Sequence, residues 1–151
     1  MNIEALLQFL ISARTRTYAG NTGEVPPLIE GHKQYEYKDG EWLYRDMYTV
    51  GDGRFVGVET VYLKSKPIWS MSYFGNFSAM TEKGADTILR KAMMANVEKT
   101  RLWHSVTWTD TKYTYHCEGK GINIREINGT EEVMLSKKRL YYFIYAGGSV
   151  G

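Results

Sequence analysis

Three acids, Asp46, Glu59 and Glu126, lie in stretches that otherwise read as strand. A carboxylate there is informative, because burying it without a partner is costly, so it is paired, solvated or put to use. Glu59 is the sharpest case, since strand alternation places it on one face with Phe55, Val61 and Leu63. One reading makes it the charge at the floor of a ligand cleft. The plainer one is a salt bridge to Arg45 or Lys64, or an edge position at which the face reaches water. Glu131 sits beside Glu132 and near a turn, where solvation is expected.

Aromatic residues surround these acids. Tryptophan and tyrosine line small-molecule pockets because each offers a flat apolar face and one polar handle. The candidate ligand-binding set is therefore Glu59 with Trp42, Tyr44, Trp69, Tyr73 and Tyr115. The same rings also serve as cross-strand pairs that hold a sheet together. Stacking on nucleic-acid bases normally comes with a basic groove, and a net charge of +2 disfavours it.

Other chemistries find no spacing to support them. His116 and Cys117 adjoin, but neighbours on a strand point to opposite faces, so Cys117 reads as a small buried residue. His32, His104 and His116 form no metal-ligand spacing, and the acids form no calcium loop. Gly20, Gly23, Gly51, Gly53, Gly119, Gly121, Gly147 and Gly148 read as turn residues, since none follows a strand and opens a helix as a phosphate loop requires. Asn128-Gly129 likewise reads as a turn. No catalytic residue, metal or cofactor is assigned.

The elements that must position these residues follow from periodicity. Residues 2–14 place Ile3, Leu6, Leu7, Leu10 and Ala13 at helical spacing behind an Asn2 cap. Residues 15–33 are irregular, and a connection this long is often functional or mobile. From Gln34 the period becomes two, with strands over 41–50 and 54–63 and a hairpin over 59–75. Helical spacing returns over 78–98 with Ala85, Ile88, Leu89, Ala92 and Met93 on one stripe. Strand-like runs follow at 102–109, 112–118, 122–127, 132–135 and 140–145. Residues 59–75 also align with 131–147 at an offset of 72, matching Glu59 with Glu131, Trp69 with Tyr141 and Tyr73 with Tyr145. The expectation is one α+β domain: an antiparallel sheet with two helices, carrying an internal repeat of halves about 1–76 and 77–151.

At 151 residues, 43% hydrophobic and 24% charged, the chain has the bulk for one packed core. A lone cysteine excludes an internal disulfide. No apolar run approaches the roughly 20 residues a bilayer span needs, and the start carries an acid and no basic leader. A cytoplasmic protein without membrane association is expected.

At Tyr18-Ala-Gly-Asn, Phe55-Val-Gly-Val-Glu59 and Pro67-Ile-Trp-Ser-Met-Ser-Tyr-Phe-Gly75 the sequence resembles an uncharacterised bacterial family. Its members occur alone or behind XRE-type helix-turn-helix DNA-binding domains. The resemblance covers about residues 2–148 and implies a cytoplasmic bacterial sensor or interaction module, with no catalytic signature. Only one helix precedes the sheet, so DNA binding is not carried over. Three functional expectations follow: a non-enzymatic small-molecule-binding module, an interaction domain such as a homodimer formed through an exposed sheet face, and a small acid–base enzyme.

Overall fold

A computed structural model describes residues 2–151. Helix α1 (Ile3–Thr15) opens on Asn2, whose Oδ1 accepts from the amide of Ala5 at 3.1 Å, with Glu4 in its first turn and Arg14 in its last. Both charges suit the helix dipole. Helix α2 (Glu82–Ala95) is capped in the same way by Thr81, whose Oγ1 accepts from the amide of Gly84 at 3.1 Å.

The strands are β1 (Glu24–Val25), β2 (Lys33–Asp39), β3 (Trp42–Gly51), β4 (Arg54–Leu63) and β5 (Lys66–Asn76) before α2, then β6 (Ser105–Asp110), β7 (Tyr113–Asn123), β8 (Glu126–Leu135) and β9 (Lys138–Ser149). They form one antiparallel nine-stranded sheet in the order β1-β2-β3-β4-β5-β9-β8-β7-β6. The α+β class expected from periodicity is the class observed. Two meanders, β2 to β5 and β6 to β9, meet where β5 pairs with β9. The β4–β5 hairpin turns on Lys64 and Ser65 at φ 52° and 64°, the positive values that match a tight turn to the twist of its strands.

The turns of the second meander differ from the sequence reading. Asn128-Gly129 lies inside β8, and Gly119 and Gly121 lie inside β7, because that hairpin turns at Ile124-Arg125. Gly147 and Gly148 likewise belong to β9. Glycine is required in these strands by close approach: a Cβ on Gly129 would overlap the Tyr145 hydroxyl and the Glu118 carbonyl, and one on Gly119 the Leu102 carbonyl. The run at 102–109 becomes strand only at Ser105, since Leu102 is drawn into the core ahead of it.

Strand alternation gives the sheet two unlike faces. One carries Tyr44, Val61, Trp69, Met71, Tyr115, Phe143 and Tyr145, all buried, and the buried stripes of both helices join the same cluster. The indole of Trp69 donates to the Ile124 carbonyl at 2.9 Å. The other face is open, with Val56 and Ile144 about half exposed. No helix among the described residues is long and apolar enough to cross a membrane.

Candidate functional site

Glu59 is buried under α1. The Arg14 guanidinium donates to its Oε2 from Nε at 3.0 Å and from Nη2 at 2.8 Å, while Nη1 reaches the carbonyls of Thr100 and Arg101 at 3.3 Å. Burial works against the charge on Arg14, but Glu59 opposes it and the pKa of Arg14 is raised. The partner is Arg14 rather than Arg45 or Lys64: Arg45 binds Glu36, and Lys64 pairs with Glu41 at the exposed hairpin tip. Helix α1 was legible as amphipathic, yet its last buried position is a cation rather than an apolar residue.

Glu131 is also buried, against the expectation of solvation. Arg101 donates from Nε to its Oε1 at 2.9 Å, and Thr100, Tyr115 and Tyr141 add hydroxyl donors. The neighbouring Glu132 takes the open face instead, because the strand places successive side chains on opposite sides.

Beside these pairs, between α2 and the β3–β5 part of the sheet, lies a narrow cleft, part of it open to solvent. Tyr48, Phe55 and Phe77 form apolar walls, and Ala85 and Leu89 of α2 close one side. Tyr18, in the loop after α1, is fixed at the rim: its hydroxyl donates to Asp86 at 2.6 Å, and Arg90 donates to its carbonyl at 2.9 Å. That loop is thus anchored to α2 at one point of its length.

Asp46 and Tyr73 bring the polarity to this cleft. The β3–β4 register sets Asp46 opposite Glu59, and the Tyr73 hydroxyl of β5 donates to Asp46 Oδ1 at 2.5 Å. Only 6% of Asp46 is exposed. Burial and then the Glu59 charge push its carboxyl up to about 7, while the Tyr73 hydrogen bond and the two arginines oppose the rise. A carboxyl in that range can hold or release a proton near neutrality.

Of the residues expected to line a site, Tyr73 reaches the cleft. Glu59, Tyr44, Trp69 and Tyr115 lie packed in the core, and Trp42 is half-buried with its ring 5.1 Å from that of Phe9. Asp46 stood among the strand acids, but its face was not separable from the general aromatic pattern. Arg101 carried no signal at all, since it lies in the irregular turn after α2. Cys117 is buried, with Tyr145 as its polar neighbour at 3.7 Å, and His116 faces the opposite side, where its Nδ1 lies 2.9 Å from the Thr107 hydroxyl.

No curated protein and no solved structure matches the chain. A match at the level of family runs over residues 46–150, from Asp46 within β3 through β9, and so takes in Glu59, Tyr73, Arg101 and Glu131 but not Arg14 or Tyr18; by it the chain belongs to the family described as Domain of unknown function (DUF5680).

Proposed function

We propose that the chain is a non-enzymatic small-molecule-binding module whose ligand sits in the cleft between α2 and strands β3–β5. The observation that carries this reading is Asp46, a carboxyl nine-tenths buried that opens onto an aromatic-walled space and has one oxygen satisfied by Tyr73. Convergent polar groups in a largely apolar concavity are the ordinary form of a ligand site. Glu59 contributes behind the wall, through its charge on Asp46, and Tyr44, Trp69 and Tyr115 fix the sheet that presents it. In this reading the module works in a bacterial cytoplasm as a sensor, as the family resemblance implies. The two meanders are one duplicated unit, a reading supported by the equivalent registers Asp46 opposite Glu59 and Cys117 opposite Glu131.

The test is an amide NMR titration with indole as a neutral aromatic probe. Shifts confined to Val50, Phe77, Ala85 and Leu89, and abolished by Ala85→Phe, support the proposal. Shifts spread over the open face, or unchanged by Ala85→Phe, overturn it.

A second reading, an interaction domain that pairs through the open sheet face, rests on the half-exposed Val56 and Ile144, which flank Phe74 across the β4-β5-β9 ribbon. Sedimentation that gives a monomer across the accessible concentration range removes it.

A further inference from the structure

The cleft contains a second polar group with unused capacity. Arg101 is 5% exposed, its Nε is committed to Glu131, and its guanidinium carbon lies 4.0 Å from the centroid of the Phe143 ring. Among the described residues its two terminal nitrogens donate to no protein group. The same holds for Asp46 Oδ2, which accepts from none. Ser149 Oγ is the one fully enclosed side-chain polar atom without a partner among the described residues. The spare atoms of Asp46 and Arg101 are therefore not sealed in protein, and both side chains line the cleft.

Polar atoms that no protein group satisfies are free to be met by solvent or by a ligand. Here one acceptor and one set of donors, of opposite charge, stand in the same aromatic-walled space without pairing to each other. Their complement is a molecule with a donor cation and an acceptor oxygen a few atoms apart on an apolar body. Arginine presents five N–H donors in a planar fork, so Nε can hold Glu131 while the terminal nitrogens meet a second oxygen. Asp86, which accepts from Tyr18, adds negative charge at the rim beside the cationic end, while Glu82 is paired with Lys33.

Resting on the small-molecule reading above, we propose that the cleft binds a small α-amino acid, with its ammonium on Asp46 Oδ2, its carboxylate on the terminal nitrogens of Arg101 and its side chain against Phe55 and Phe77.

Three probes of one aromatic body test this on the full chain by calorimetry at pH 7.5: phenylalanine, 2-phenylethylamine and 3-phenylpropionate, with indole as the neutral reference. Phenylalanine is expected to bind at least tenfold more tightly than either singly charged probe. Asp46→Asn should bring phenylalanine down to the affinity of phenylpropionate. The double substitution Arg101→Gln with Glu131→Gln keeps the buried pair neutral and should bring it down to that of phenylethylamine. Circular dichroism of each variant checks that the fold is retained, and the wild-type ranking decides the matter if a variant fails to fold. Equal affinity for phenylalanine and either half-probe overturns the inference. If indole binds in the cleft and charge adds nothing, the inference falls while the small-molecule reading stands. If neither indole nor any charged probe binds, both fall.

Discussion

Asp46 on β3 and Cys117 on β7 stand in parallel surroundings with opposite outcomes. Each lies opposite a buried glutamate of the next strand, Glu59 or Glu131, and each meets a tyrosine hydroxyl from the strand beyond, Tyr73 or Tyr145. Each glutamate is held by a buried arginine. At Cys117 the space is closed: the Tyr145 hydroxyl donates to the Leu102 carbonyl at 2.7 Å, and Leu102 itself is fully buried. At Asp46 the space is a cleft. A small thiol therefore suffices for packing at this position of the architecture, so the carboxyl at Asp46 is an addition that packing does not require. Its burial runs against stability, which is what the proposed binding role would ask of it.

The largest expected effects test what the two regions share. Glu59→Gln leaves Arg14 buried without a counter-charge, and Glu131→Gln does the same to Arg101, so each should destabilise by about 3–5 kcal/mol in urea unfolding. Replacing both members of the first pair, Arg14→Met with Glu59→Leu, should recover most of the loss. If Glu59→Gln costs under about 1 kcal/mol while Glu131→Gln costs the full amount, the two pairs are not equivalent and the comparison breaks.

The next effect should belong to one region alone. Asp46 faces Glu59 of β4, Tyr73 of β5, Tyr44 of its own strand and the arginines Arg14 and Arg101, with Glu82 and Asp86 of α2 across the cleft. Its carboxyl is raised from 3.8 to about 7 on folding, so it favours the native state fully below pH 3.8 and loses that advantage as pH rises through about 7. The loss amounts to about 4 kcal/mol. In Asp46→Asn, unfolding free energy should lack this decline between pH 4 and 7. Cys117→Ser should leave it in place. A variant profile that falls as steeply as the wild type would assign the decline to other groups.

A smaller pair of effects concerns glycine. Gly57 and Gly129 occupy matching places beneath Tyr73 and Tyr145, and a Cβ on either would overlap the tyrosine hydroxyl and a neighbouring carbonyl. Alanine at either position should cost about 1–3 kcal/mol. Gly57→Ala should also displace the Tyr73 hydroxyl from Asp46, and so weaken probe binding in the cleft where Gly129→Ala does not.

These glycines also mark how far the sequence could be read. Period-two alternation grouped Phe55, Glu59 and Val61 on one face of their strand, and the register sets them opposite Val50, Asp46 and Tyr44. Helical spacing placed both helices to within a few residues. What failed was glycine chemistry: Asn128-Gly129 carries the composition of a turn, but the reason for its glycine is a tyrosine hydroxyl sixteen residues on, a contact only the folded sheet creates. The arginines were illegible for the same reason. Arg14 reads as a helix-end cation and Arg101 as part of a turn, and neither position announces a glutamate two or more elements away. Glu59 stood out as an acid in its strand, Glu131 did not, and neither base was visible.

The smallest effect sharpens the comparison most, because it removes the same atom from both regions. Tyr145→Phe leaves the buried Leu102 carbonyl without its 2.7 Å donor, and should cost about 1–3 kcal/mol at every pH from 5 to 8. Tyr73→Phe takes from Asp46 a donor that favours the ionised carboxyl. Its cost should therefore be small at pH 5, where the carboxyl is protonated and needs less from the tyrosine, and should grow toward about 1 kcal/mol or more at pH 8. The measurement is the difference in urea midpoint between each variant and the wild type across that range. A pH-dependent cost for Tyr73→Phe beside a constant one for Tyr145→Phe would mean that one tyrosine serves a titrating carboxyl and the other a fixed carbonyl. Two flat profiles would mean that the Asp46 carboxyl does not titrate in this range and keeps one protonation state, ionised if the Tyr73→Phe cost is uniformly large and neutral if it is uniformly small.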